Sequence, residues 1–188
     1  SYRGADTEYF VDAHSGEIVF RRAVTATDDI LDDLDLEMQD ARNVGNVIAD
    51  ECSFSDYTFV ADEDELDPAY RANRQAQVLF ESTRDVYSYY RRHFNRDSYD
   101  DDGGQIEIVM NSNFGVNNAQ YVSGCDIIEL FPGTEDRETI AHEFTHAVIN
   151  HSSGLIYQRE SGALNEHFAD VIAVLLDREL GSADWTLF

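Results

Sequence analysis

Residues 141–151 read AHEFTHAVINH, and His142, Glu143 and His146 inside them form an H-E-x-x-H motif. Residues four apart on a helix share a face, so His142 and His146 can direct two imidazoles at one metal ion. Glu143, one step round the helix, projects beside that ion, where a carboxylate can serve as general base. Ile140, Ala141, Phe144, Ala147, Val148 and Ile149 surround the motif and predict a largely buried helix. Two histidines and a glutamate are costly to bury unless their polar atoms find partners. Glu166, in SGALNEHFAD, supplies a candidate third ligand on a second helix. The pattern points to metal-assisted hydrolysis by a zinc site.

With 188 residues and 43% apolar composition the chain can bury a proper core. Its formal charge is −25, and all 13 basic residues are arginine. Such a surface cannot displace counterions from phosphates, which excludes nucleic acid and anionic membranes as partners. The acid suits either a solvated, soluble surface or a salty medium that screens self-repulsion. No apolar run is long enough to span a bilayer. Cys52 and Cys125 are too few for a disulfide scaffold, and form either one bridge in an oxidising compartment or two plain thiols. Ser1-Tyr2-Arg3-Gly4 opens a polar segment without the apolar core of a signal peptide.

Along the chain, EYFVDA and EIVF within residues 8–20 predict a β-hairpin turning at HSGE. Residues 27–64 are acid-rich and weakly periodic, as in a solvated loop. Asp67 and Pro68 then suit a helix start, and Val78, Leu79, Thr83, Val86, Tyr87 and Tyr90 form a helical stripe ending near His93. QIEIVMN, AQYVSG and DIIELF predict strands. The motif helix spans about residues 135–151, and a last helix about residues 160–180. Strands first and helices last predict an α+β domain with the site between two helices.

With these residues assembled, the chain resembles the thermolysin family of zinc metallopeptidases. The resemblance covers about residues 67–188 and rests on NRDSYDDDGG, VNNAQY, AHEFTHAV, SGLIYQRESGALNEHFAD and the final ADW. It implies a zincin-like fold: a β-rich N-terminal part, a long core helix, an active-site helix and a third ligand-bearing helix. It also implies that His142, His146 and Glu166 hold Zn2+ and leave one coordination position to water. Glu143 is the implied base, Tyr157 the implied donor to the oxyanion, and Asp170 and Asn165 the partners that orient His142 and His146. By the residues alone, Tyr157 reads as a core aromatic. Asn118 and Ala119 are implied to hold the substrate backbone as an added strand. Gln120-Tyr121 replaces the family's usual aromatic pair, and His167 and Ala169 also depart from its commoner residues. Glu138, Asp177 and Asp184 fall on positions resembling Ca2+ ligands.

The resemblance further implies that residues 1–25 are the end of a propeptide and 26–188 the catalytic N-terminal part. On this view the chain stops before a helical C-terminal domain that supplies one wall of the cleft. The expected protein is then a secreted, monomeric endopeptidase acting on peptides or proteins, feebly active without that wall. Two rivals stand beside it. An aminopeptidase would carry a Gly-x-Met-x-Asn stretch before the zinc helix, and this sequence has none. A non-catalytic metal-binding module or inert remnant has no use for Glu143.

Overall fold

The acid-rich segment does not stay a loop: its LEMQD stretch forms β3 (Leu36–Asp40), which runs through the interior of a sheet. Leu36, Met38 and Asp40 are buried while Glu37 and Gln39 are half-buried, the period of two that a strand requires. Asp40 is kept beneath the surface by Tyr70 Oη at 2.9 Å, Asn111 Nδ2 at 3.0 Å and the Arg42 guanidinium at 2.8 Å. These partners hide the strand from a reading by charge, because a paired carboxylate no longer needs solvent.

The structure is a computed structural model that describes residues 30–42, 52, 57–112, 118–134 and 136–180, with the backbone course alone of 6–11 and 18–24. β3 lies between β4 (Thr58–Asp62) and β5 (Ile106–Met110), followed by β7 (Ile127–Leu130) and the edge strand β6 (Ala119–Val122). β3–β5 and β5–β7 are parallel, and both outer pairs, β3–β4 and β6–β7, are antiparallel. The expected hairpin is present as β1 (Asp6–Val11) and β2 (Ile18–Val24), an antiparallel two-stranded sheet of its own. Its HSGE turn lies outside the described residues.

Three helices complete the α+β architecture. α1 (Arg74–Phe94) starts later than Asp67 and Pro68 suggested. Asp67 instead caps a turn, accepting from Ala69 N at 2.7 Å, while Asn73 accepts from Gln75 N and Ala76 N and starts the helix proper. Asn95, in the left-handed conformation at φ 52°, closes α1 by donating its N–H to Tyr90 O. α2 (Arg137–Asn150) begins at Asp136, whose carboxylate accepts from Thr139 N at 2.8 Å. α3 (Arg159–Glu179) follows and packs along α2 through Gly162, Asn165, Ala169, Ala173 and Leu176.

One core joins the sheet to these helices, with Tyr87, Phe144, Leu79, Met38, Ile108 and Leu176 among its fully buried side chains. Each such residue contributes about 1.5–3 kcal/mol by leaving water. Tyr90 locks α1 to α2: its ring packs on Phe144 at 5.2 Å, and its hydroxyl lies 2.7 Å from Thr145 Oγ1. The far side of α3 is unlike a solvated face, since Leu164, Phe168, Val171 and Leu175 are all exposed there at helical spacing. Cys52 and Cys125 are joined in a disulfide that spans 73 residues, resolving the two alternatives left by the sequence. Among the described residues no helix is long and apolar enough to cross a membrane.

Candidate metal centre and active site

The α2 and α3 backbones bring the expected side chains to one point. His142 Nε2 and His146 Nε2 lie 3.0 Å apart, and Glu166 Oε2 and Oε1 lie 3.3 Å and 3.5 Å from them respectively. The remaining imidazole nitrogens are occupied. Asn165 Oδ1 is 2.7 Å from His146 Nδ1, and Asp170 Oδ1 is 3.0 Å from His142 Nδ1. Oxygen acceptors at both Nδ1 atoms place the ring protons there, so both Nε2 lone pairs face inward beside a carboxylate. Burial, reinforced by the neighbouring His146, pushes the His142 imidazole below its ordinary range.

Three electron-pair donors facing one another repel unless a cation lies between them. Two imidazoles and one carboxylate are the donor set of catalytic zinc sites, with a position left open. Among the described residues this is the one group of three or more His, Cys, Asp or Glu side chains suited to hold an ion. The residues therefore fit zinc.

Asp170 is half-buried rather than buried: Ala169 beside it is enclosed, but Val171 faces solvent. Its carboxylate nonetheless lies 3.0 Å from His142 Nδ1. Replacing Asp170 with Ala is expected to weaken zinc affinity about 10–100-fold with little change in helix content. Competition with a chromogenic chelator measures it, and an unchanged dissociation constant would release Asp170 from orienting His142.

Glu143 is buried, lines the same cleft and stands outside that group of three donors. Tyr121 N–H, on edge strand β6, donates to its Oε2 at 2.8 Å. Burial raises its carboxyl to about 7, partly opposed by that hydrogen bond and aided by the charge of Glu166. Tyr157 is exposed, so it is not a core aromatic, and its hydroxyl donates to Glu166 Oε1. That hydrogen bond, before desolvation and nearby carboxylates, pushes the Tyr157 phenol up to about 12. The Tyr157 loop is tied to the first turn of α3, where Ser161 Oγ donates to Ile156 O and Gln158 O at 2.5 and 2.8 Å. A side chain at Gly162 would meet Tyr157 C at 3.1 Å, so this close approach depends on glycine.

Asn118, just before β6, and Ala119, its first residue, stand on the rim of the same cleft, about 730 Å³, which the motif histidines, Glu143, Tyr157 and Glu166 also line. Among the described residues β6 pairs with β7 alone, leaving its other edge toward the cleft. Of the carboxylates implied for calcium, Glu138 is half-buried in the first turn of α2, and Asp177 faces the Arg137 guanidinium at 3.7 Å. Asp184 lies outside the described residues. Sequence reasoning did not single out Asn150, Asp126 or His151, which meet near Tyr121. Nothing in their local pattern announces contacts that cross between elements.

Comparisons with known proteins agree with this geometry. The family model described as thermolysin metallopeptidase, catalytic domain, matches residues 33–150, and the one described as its alpha-helical domain matches residues 153–187. The chain belongs to the thermolysin metallopeptidase family, whose members are zinc-dependent. It is similar to Neutral protease B of Bacillus subtilis (strain 168), 38% identical over 54% of this chain and 19% of that protein. It is also similar to Bacillolysin of Brevibacillus brevis, 29% identical over 95% of this chain and 37% of that protein. The chain thus spans well under half the length of these relatives. In structure it resembles the precursor of protealysin, a metalloproteinase from Serratia proteamaculans, with TM-score 0.67 and 20% identity over 82% of this chain and 48% of that one. At that identity the likeness speaks for the fold.

Proposed function

We propose that this chain forms the zinc-binding and base-bearing part of an endopeptidase, with His142, His146 and Glu166 as ligands and Glu143 as general base. The observation that carries the proposal is the convergence of three inward-facing donors beside a buried carboxylate, under an edge strand that among the described residues pairs with β7 alone. Zinc held by these residues would supply Lewis acidity, polarising a carbonyl and making a water molecule easier to deprotonate. Glu143 takes one proton from the attacking water as its oxygen adds to the peptide carbonyl carbon. It returns that proton to the departing nitrogen as the C–N bond breaks. Tyr157, whose hydroxyl now donates to Glu166, turns that donor toward the carbonyl oxygen as negative charge builds there. Asn118 and Ala119 hold the substrate extended along the cleft side of β6, as an added strand.

The same proposal assigns residues 1–25 to the end of a propeptide and 26–188 to the enzyme. Its support is that β1 and β2 form their own sheet, and that the catalytic family match begins at residue 33. The Cys52–Cys125 bridge supports an oxidising destination, hence export. The exposed Leu164, Phe168, Val171 and Leu175 stripe supports a further helical wall packed on α3, completing the cleft. A non-catalytic metal module is disfavoured, because a buried Glu143 that coordinates nothing has no role in such a module.

Hydrolysis of casein or a furylacryloyl peptide by the full-length protein tests the proposal. Activity should vanish with chelator and return on adding about one equivalent of zinc per chain. Activity indifferent to chelation would end it.

A further inference from the structure

Tyr121 links the edge strand to α2 in two ways, of which the reaction above uses neither. Its backbone N–H donates to Glu143 Oε2 at 2.8 Å, and its hydroxyl donates to Asp126 Oδ1. Asp126 lies in the turn between β6 and β7, in the left-handed conformation at φ 57°. The same Oδ1 lies 2.7 Å from His151 Nε2, and Asn150 Nδ2 donates to the Tyr121 hydroxyl at 3.2 Å. Asn150 and His151 end α2, the helix that also bears Glu143 and both histidines. The Tyr99 ring meets His151 edge-on at 4.9 Å and restrains the imidazole. On the other side of the turn, Cys125 is tethered to Cys52. β6 is therefore fastened to one helix at two places, Glu143 and Asn150–His151, about 10 Å apart at the rise of an α-helix.

We propose that Asp126 is a positioning residue for peptide hydrolysis: acting through Tyr121, it sets the separation between the substrate-holding strand and Glu143. The proposal rests on the assignment of Glu143 as base. An edge strand hydrogen-bonded on one side has few restraints of its own, and the Asp126–Tyr121–Asn150 set supplies one. The restraint matters because a shift of about 1 Å between reacting groups can cost about 100-fold in rate. Asp126 touches no part of the reaction itself. It holds the phenol, the phenol holds its own backbone, and the backbone N–H holds the carboxylate.

Two measurements on Asp126→Ala, Asp126→Asn and Tyr121→Phe test the clamp. The first is hydrogen exchange at the Tyr121 amide in the zinc-loaded chain. Asp126→Ala and Tyr121→Phe should speed that exchange about tenfold at unchanged zinc content, while Asp126→Asn, which keeps an accepting oxygen, restores most of the protection. The second is peptide hydrolysis by the full-length protein. Here kcat should fall about tenfold in Asp126→Ala and in Tyr121→Phe with KM within about twofold, and the double variant should be no slower than either single one. Unaltered Tyr121 protection in Asp126→Ala, or losses that multiply in the double variant, overturn the clamp. Faster exchange together with full hydrolysis by Glu143→Gln instead removes Glu143 from the mechanism and the clamp's catalytic role with it, so the two failures are told apart.

Discussion

Glu143→Gln is expected to retain the full complement of zinc while kcat/KM for a peptide falls about 10²–10⁴-fold. The substitution is nearly isosteric, and the amide oxygen can still accept from Tyr121 N–H, so the buried position keeps its partner. Zinc should be unaffected, because the donors that converge are His142, His146 and Glu166, with Glu143 outside the group. What an amide cannot do is take up a proton and release it. The carboxylate suits that task, since burial raises it to about 7, close to the neutral pH at which a base transfers protons best. Paired metal analysis and single-turnover peptide hydrolysis make the measurement, and a variant within about twofold of wild type would refute the assignment.

The second large effect concerns stability. Breaking the Cys52–Cys125 bridge, by reduction or by serine at both positions, should lower unfolding free energy by about 4 kcal/mol. The basis is chain entropy: the bridge closes a loop of 73 residues, within which β4, α1, β5 and β6 all lie. Unfolding in urea is the suitable measurement, because guanidinium would also screen the −25 charge and confound the comparison. The midpoint should move to lower urea with the native fold retained at zero denaturant. An unmoved midpoint would mean that the unfolded chain gains nothing from being released. Cys125 adjoins Asp126, so the loss should be felt first at the β6–β7 turn.

How far the sequence foretold this molecule depended on whether a signal was local. α2 and α3 were legible because their apolar residues recur at helical spacing and their ends carry caps or breakers. β5 was legible from alternation, and β6 and β7 as short strand-like runs between Gly and Pro. β3 and β4 were not, since LEMQD and TFVAD sit in acid-rich surroundings where charge outweighed pattern. The partners that bury Asp40 (Tyr70 and Asn111) are distant in sequence, and only tertiary structure reveals them. The start of α1 was misplaced for a local reason, as Asp67 capped a turn and Asn73 capped the helix. At the site, the two histidines followed from their spacing, whereas the contact of Tyr121 with Glu143 joins a strand to a helix that no spacing connects.

His142 and His146 come from the stretch matched by the catalytic-domain description, and Glu166 with Asn165 and Asp170 from the stretch matched by the helical one. One small ion gripped by both would then be a clasp between two regions of the polypeptide, as well as a reagent. Unfastening it exposes mutually repelling donors on α2 and α3, so resistance to heat and zinc occupancy should rise and fall together.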